Sequence, residues 1–372
     1  MERRNKEADA TGSVIESRAL KYGYPNARAK AMKGLLLKPS FLDELIKVST
    51  INAMVELLQR TDYRDDLVTL SIEHSGSELV ELAAGRNFVR MVAKLRRFTP
   101  KEDANAVKAL LRKWDLMNLK TIVNARSLDR QYSDIKPFLL PIGDLKEQDF
   151  ERIANADKDQ IFNEIRKTAL GTEMLSVSTA AFSKQMWDAF RNSMKNLNMF
   201  LQLETILDAY TYLFMDKALR QVRGKDVDYI RRLLKREIDA KNILIIERLK
   251  SRDYPEEKIA NYLIKGGTLS KGFIRSLMEA KDFSSVVSLA KSKFRNLSLK
   301  EGSLSIHDLE IALEKAIAAE KTSAFYRSML SIGVVLGILL LKEEEVNNLR
   351  KIAKGKEFGI PEREVKEMLV TL

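Results

Sequence analysis

Three short stretches of the chain place an acid and an asparagine at a spacing that could serve chemistry. They are Asp115-Leu-Met-Asn118, Asp239-Ala-Lys-Asn242 and Glu345-Val-Asn-Asn348. On a helix, residues three positions apart lie on one face, so the carboxylate and the amide of each pair can share a partner. Such a pair suits a metal ion, an acid–base step or hydrogen bonds to exposed backbone groups. A metal site would require more acids, so we expect the three asparagines to bond backbone groups at a neighbouring helix end.

These pairs belong to an internal duplication. Sliding residues 110–145 by 124 positions onto residues 234–269 gives 11 identities in 36 positions, where ordinary amino-acid usage gives roughly two by chance. A shift of 106 places the second pair on the third, which indicates a third, shortened copy. A fainter motif stands at Asn26, with Gly23 in place of the acid. Because an active site usually occurs once, a feature repeated at matching places indicates architecture.

The composition predicts an all-α fold. The chain of 372 residues has only 16 glycines and 7 prolines. Turns that require the positive φ that glycine allows, or the φ that the proline ring fixes, must therefore be few. The stretch Tyr22-Gly-Tyr-Pro25 is expected to break a first helical segment, and a new helix is expected from Asn26 to Gly34. Helical spacing also predicts elements within 41–46, 51–58 and 78–98, an apolar stripe from Leu203 to Phe214, and a buried core helix at 331–341.

The repeat divides the chain into three related helical modules, 1–147, 148–270 and 271–372. The chain has no Gly/Ser linker between them, so we expect the modules to pack directly on one another, as a pseudo-threefold assembly.

Several kinds of chemistry have no support in the sequence. There is no cysteine, and the only two histidines, His74 and His307, stand 233 positions apart, so neither a metal site nor a catalytic nucleophile of the cysteine type is expected. No phosphate-binding loop or other catalytic motif is present. The sequence therefore predicts no catalytic residue, no cofactor and no metal, although a helical enzyme with an unrecognised cleft remains an alternative.

The distribution of charge allows a second alternative function, nucleic-acid binding. The net charge is +12 and is spread as +6, +3 and +3 over the three modules. Basic clusters at Lys94-Leu-Arg96-Arg97 and Arg231-Arg232-Leu-Leu-Lys235-Arg236 would suit a helical scaffold that binds nucleic acid. Few aromatic residues accompany them, which favours solvated helix faces.

Membrane segments are not predicted. The N-terminal ten residues are charged where a signal peptide would be apolar. The longest apolar run, 331–341, is about half the length that a membrane-spanning helix requires.

Four stretches resemble a known family. They are Gly23-Tyr-Pro-Asn-Ala-Arg28, Gly34-Leu-Leu, the Leu45–Leu58 helices that end in Thr61-Asp62-Tyr63, and Glu345-Val-Asn-Asn348-Leu-Arg350-Lys-Ile-Ala-Lys-Gly355-Lys. In order and spacing they resemble the C subunit of the archaeal-type (A/V-type) ATP synthase, the counterpart of the d subunit of the V-ATPase, over almost the whole chain. The charged extension before about Val14 and the apolar 331–341 run depart from the family pattern.

The resemblance implies a funnel-like, non-catalytic subunit of the central stalk, present as one copy per complex. Such a subunit sits on the cytoplasmic face of the membrane rotor ring, receives the foot of the stalk, and holds to the membrane through protein contacts. Ion transport is thereby coupled to ATP synthesis or hydrolysis elsewhere in the complex. The residues it implicates in shaping the module ends or contacting partners are Tyr24, Asn26, Arg28, Asp115, Asn118, Asp239, Asn242, Glu345, Asn348 and Arg350.

Overall fold

The computed structural model describes residues 2–157, 160–173, 210–213, 215–217, 219–220, 225–299 and 305–370. Every regular element within these ranges is helical, so the all-α prediction is confirmed. Three short 3-10 turns, at Lys101–Asp103, Lys136–Phe138 and Ala260–Tyr262, accompany the α-helices. The α-helices are α1 (Glu2–Lys33), α2 (Pro39–Lys47), α3 (Ile51–Leu58), α4 (Arg64–Leu70), α5 (Gly76–Phe98), α6 (Ala104–Ser127), α7 (Tyr132–Ile135), α8 (Glu147–Ala154), α9 (Ile161–Arg166), α10 (Lys225–Lys250), α11 (Glu256–Ile259), α12 (Lys271–Glu279), α13 (Phe283–Lys293), α14 (Ile306–Arg327), α15 (Ile332–Glu357) and α16 (Glu362–Met368).

Local sequence accounts for several of these helices. Pro39 stands in the first turn of α2, where its missing N–H would have had no partner within the helix. Thr50 caps α3 by accepting the Ala53 N–H (3.2 Å), and Ser331 caps α15 by accepting the Gly333 N–H (3.1 Å). The apolar first half of α15 is buried on all sides, as expected for a core helix.

The predicted break at Pro25 is wrong. Helix α1 runs unbroken from Glu2 to Lys33, with Pro25 inside it. An interior proline removes one backbone hydrogen bond and costs about 3 kcal/mol. Pro25 is buried, and the adjacent Asn26 is held by two hydrogen bonds to Ser331, so tertiary contacts outweigh the local preference. The helix ends just before Gly34, as predicted.

The chain divides into two compact units. One comprises Met1–Val107, Leu219–Arg231 and Ala318–Leu372, and within it α15 packs mainly on α5 and α1. The other comprises Lys108–Ala218 and Arg232–Ile317, and its core includes a cluster formed by α6, α8 and α9 with Tyr210. The three-module division with boundaries at 147 and 270 stays a prediction. Of the predicted stripe, Leu203, Ile206, Leu207 and Phe214 lie outside the described residues.

No described helix combines the length and the apolar character that crossing a bilayer requires.

Candidate functional site

The asparagine of each repeated motif bonds both backbone groups of a single residue further along the chain. Asn118 Nδ2 donates to the Leu140 carbonyl (2.7 Å), and the Leu140 N–H donates to Asn118 Oδ1 (2.9 Å). The partner lies 22 residues after the asparagine in all three motifs. The other pairs are Asn242 with Ile264 (2.9 and 2.8 Å) and Asn348 with Val370 (2.7 and 3.0 Å).

The acid of the first two motifs holds the backbone that leads into the next short helix. Asp115 accepts the N–H groups of Asp144 (2.7 Å) and Leu145 (3.0 Å), immediately before α8. Burial raises the pKa of Asp115 to about 6, while these two hydrogen bonds lower it. Asp239 accepts the corresponding N–H groups of Thr268 (2.7 Å) and Leu269 (3.2 Å), before α12, and the Thr268 hydroxyl (2.5 Å).

Glycine is required where the carboxylate meets this backbone. A Cβ atom on Gly143 would overlap the carboxylate group of Asp115, and a Cβ atom on Gly267 would overlap the carboxylate of Asp239. The two glycines thus let the backbone approach the acid closely.

A basic side chain 11 residues after each acid binds the end of the same short helix. Arg126 donates to the Ala156 carbonyl (3.2 Å), just beyond α8. Lys250 donates to the carbonyls of Leu277 (3.0 Å) and Ala280 (2.8 Å), at the end of α12. Cations there satisfy carbonyls that the helix leaves unpaired and complement its dipole. The acid and the base of each motif therefore bind opposite ends of one short helix.

The third motif binds α2, which lies far from the motif in sequence, near the N-terminus. Glu345 accepts the N–H of Leu37, which stands just before the N-cap of α2 as Leu145 stands just before the N-cap of α8. Lys356 donates to the carbonyls of Ile46 (2.9 Å) and Val48, at the end of α2. Helix α2 thus occupies, against α15, the place that α8 occupies against α6.

Each motif helix also ends in the same way. The residue 14 positions after the acid has a left-handed backbone: Asp129 (φ 55°), Asp253 (φ 53°) and Gly359 (φ 64°). The N–H of the following residue donates back to a carbonyl five residues earlier, a hydrogen bond typical of left-handed helix ends. The three motif helices are thus alike in structure from the acid to the helix end.

The acid of the third motif sits in a buried polar cluster. The Tyr63 hydroxyl (2.6 Å) and Lys342 Nζ (2.7 Å) both donate to Glu345 Oε1, and Lys342 also donates to the Tyr63 hydroxyl (2.9 Å). All three residues are at most 2% exposed. Burial, reinforced by the Glu345 charge, raises the pKa of Tyr63 well above its ordinary value. The lysine and the glutamate neutralise each other where water cannot.

Asn26 forms a fourth pair of the same kind. Its Nδ2 donates to the Ser331 carbonyl (2.8 Å), and the Ser331 N–H donates to its Oδ1 (3.0 Å). The two residues are 305 positions apart, so this pair ties α1 to the start of α15.

The remaining predicted residues lie at or near the surface. Tyr24 is 66% exposed and touches Phe98 edge-to-face, with ring centroids 6.5 Å apart. Arg28 is exposed. Arg350 is half-buried and pairs with Glu81 (Nε to Oε1, 3.2 Å). Of the ten predicted residues, Tyr24 and Arg28 are therefore fully open to a partner, and the half-buried Arg350 is open in part.

The buried acids and amides are committed to structure. Both polar atoms of each motif asparagine are engaged, and Asp115 and Asp239 accept backbone N–H groups away from solvent. An acid–base catalyst needs a proton that a substrate can reach, and this arrangement offers none. Over the described part of the chain, no three acidic or histidine side chains come together as a possible metal-ligand set.

Sequence reasoning missed the basic member of the motif. Arg126, Lys250 and Lys356 follow their acids at one spacing, and the shift of 106 places Lys250 on the identical Lys356, so that signal was available. Tyr63 and Lys342 carried no such signal, because they are 279 residues apart and belong to no repeat.

The same three motif helices fall within a known protein family. The family model described as "ATP synthase (C/AC39) subunit" matches residues 25–368. The chain belongs to this family. The match includes all three motif helices and leaves out the first 24 residues, which form most of α1.

Archaeal members of the ATP synthase (C/AC39) subunit family resemble the chain over most of its length. The C subunit of the A-type ATP synthase of Pyrococcus horikoshii is 28% identical, with 96% of this chain and 92% of the relative covered. The proteins of the same name from Methanocaldococcus jannaschii and Methanosarcina acetivorans are each 25% identical, covering 94% of this chain and 86% and 93% of the relatives.

The family membership gives no support to the alternative of a nucleic-acid-binding scaffold. The contacts of the second basic cluster do not support that alternative either, because two of its arginines bind other residues of the protein. Arg231 pairs with Asp228 (2.8 Å) and donates to the Leu219 carbonyl (2.8 Å). Arg236 donates to the Lys293 carbonyl (2.8 Å) and lies over the Phe294 ring (4.3 Å).

Proposed function

We propose that this protein is the non-catalytic C subunit of an A/V-type ATP synthase, which links the membrane rotor ring to the central shaft. The family match over residues 25–368 carries the proposal. The protein would be present as one copy per complex, peripheral to the membrane on its cytoplasmic face, and held there by contacts with ring and stalk subunits.

The motif geometry supports a mechanical role. A subunit that transmits torque must resist deformation, and buried hydrogen-bonded networks fix one arrangement of the elements they join. In each motif an acid, an asparagine and a base bind one short helix or its flanking segment to a long helix. Such bonds hold the short helices at both ends, so that applied force moves long and short helices together.

The proposal is tested by isolating the native complex through a tag on this chain. We expect ring and stalk subunits to be recovered with it, and ATP hydrolysis to stay coupled to ion transport only when the chain is present. Recovery of the chain alone from membranes that contain an assembled ATP synthase would refute the proposal.

Arg350 allows a sharper test, because it has an internal partner. Arg350→Glu places two acids together and weakens the fold, and the exchange Arg350→Glu with Glu81→Arg restores an opposite-charge pair. If Arg350 contacts a partner, the exchanged variant regains thermal stability but is retained poorly on the complex. Full recovery of both properties would limit Arg350 to a role within the fold.

A further inference from the structure

A basic surface lies where the second half of α1 meets the turn between α14 and α15. The chain has no acid between Glu16 and Asp43, and none between Glu320 and Glu343. The two Asn26–Ser331 hydrogen bonds hold these segments together. Lys33 Nζ also lies 5.4 Å from the centre of the Tyr326 ring. Two separate acid-free stretches therefore form one surface.

Three cations stand on this surface, which we call the basic patch. Lys30 and Lys33 lie one turn apart on the side of α1 that carries Asn26, and Arg327 ends α14. Lys30 and Arg327 are exposed, and Lys33 is half-buried. Within the described residues, none of the three has a carboxylate within ion-pair distance.

Large apolar side chains are exposed among these cations. Tyr326 is 61% exposed, Met329 is 68% exposed, and Leu35, two residues after Lys33, is 53% exposed. Leu330 has a left-handed backbone (φ 45°), which leucine rarely adopts. Met329 is therefore exposed next to a residue in an unfavourable backbone conformation, although burial would stabilise its side chain more.

We propose that the basic patch binds an anionic lipid surface directly. Two of its three cations are lysines, which are depleted at protein–protein interfaces and are usual partners of anionic headgroups. Tyrosine together with exposed leucine and methionine suits the boundary between headgroups and acyl chains. A turn at helix ends can insert such side chains into a fluid surface without a preformed groove. The proposal does not depend on which subunits the protein contacts.

Vesicle flotation with the purified full chain tests the proposal. The vesicles are phosphatidylcholine alone, or phosphatidylcholine with about one third phosphatidylglycerol, at about 0.05 M and about 0.5 M salt. We expect binding only to the anionic vesicles, with a decrease at high salt. Each cation near an anionic surface strengthens binding about fivefold, so the triple variant Lys30→Gln, Lys33→Gln, Arg327→Gln should bind about 100-fold more weakly.

Matched controls separate the patch from the overall charge. The variant Lys94→Gln, Arg97→Gln, Lys101→Gln removes three exposed cations elsewhere in the same unit and should bind nearly as well as the wild type. The change Tyr326→Ser with Met329→Ser should weaken binding several-fold. Its apolar control is Val68→Ser with Ile72→Ser, two exposed side chains near α4 that should make no difference.

Three results would overturn the proposal. The first is no binding to anionic vesicles at low salt, and the second is equal loss in the patch and control triple variants, which would reflect net charge alone. The third is a patch variant that floats normally with vesicles but no longer copurifies with ring and stalk subunits, which would identify a protein interface. Copurification of the wild-type chain tests the proposed function separately, so the two can fail independently.

Discussion

Replacing Gly143 by alanine would put a methyl group where the Asp115 carboxylate lies. The ideal Cβ position overlaps all three atoms of that carboxylate group. Gly143 does not have a positive φ, so alanine can adopt its backbone conformation. The overlap with Asp115 is therefore the cause of any destabilisation.

The expected loss follows from the bonds that must break. If the carboxylate moves away, the N–H groups of Asp144 and Leu145 lose their acceptor. A hydrogen bond to a charged group contributes about 1.5–3 kcal/mol. Because the ideal Cβ lies 2.2 Å from the carboxylate atoms, the carboxylate must move, and the loss of both bonds should lower the free energy of unfolding by about 3–6 kcal/mol.

The assay is urea unfolding followed by circular dichroism, with Gly272→Ala as the control. Gly272 lies in the first turn of α12, in the same compact unit, and a Cβ there would be 4.0 Å from Ser270 Oγ. Because alanine favours a helix over glycine, this control should be unchanged or stabilised by up to about 1 kcal/mol.

A double-mutant cycle isolates the overlap as the cause. Asp115→Ala should destabilise the wild type strongly but the Gly143→Ala background much less, because the carboxylate bonds are already lost there. If Gly143→Ala unfolds within about 0.5 kcal/mol of the wild type, or if the two changes are additive, the proposed close approach of backbone and acid is wrong.

Three further predictions concern the same motif. Asn242→Ala leaves the N–H and carbonyl of Ile264 without their partners and should cost about 2–4 kcal/mol in urea unfolding; an unchanged midpoint would contradict this. Glu345→Gln leaves the Lys342 charge buried and should cost about 3–5 kcal/mol, most of which the added change Lys342→Met recovers; a full loss in the double variant would contradict the charge argument. The pKa of Asp115 is about 6 in the folded state and ordinarily 3.8, so the folded state binds the carboxyl proton more tightly than the unfolded state does. Between these two pH values the contribution of Asp115 to stability therefore falls as pH rises, by about 3 kcal/mol in all. Asp115→Asn should lack that fall when unfolding is measured across this pH window, and identical pH profiles would refute it.

Much of the local architecture was predictable from residue spacing. Helix formation depends on residues close along the chain, and repetition made the shared acid–asparagine pair recognisable. The acid–asparagine spacing indicated backbone bonding without a structure, since an acid and an amide alone are too few ligands for a metal ion.

Other features depended on contacts that spacing does not reveal. The persistence of α1 through Pro25 depends on the Ser331 partner of Asn26, 305 residues away. The cluster of Tyr63, Lys342 and Glu345 likewise joins distant segments without a repeated pattern.

By itself, the sequence determined that this protein is helical, that it carries one motif three times, and that the motif serves structure. Only the tertiary structure decided what the third motif holds. In the first two motifs the bound helix follows the motif along the chain, whereas the helix bound by the third motif precedes it. Helix α2 takes that place, because its ends offer the same unpaired N–H and carbonyl groups to Glu345 and Lys356. Hydrogen bonds depend on distance in space, so a segment 308 residues away completes the pattern.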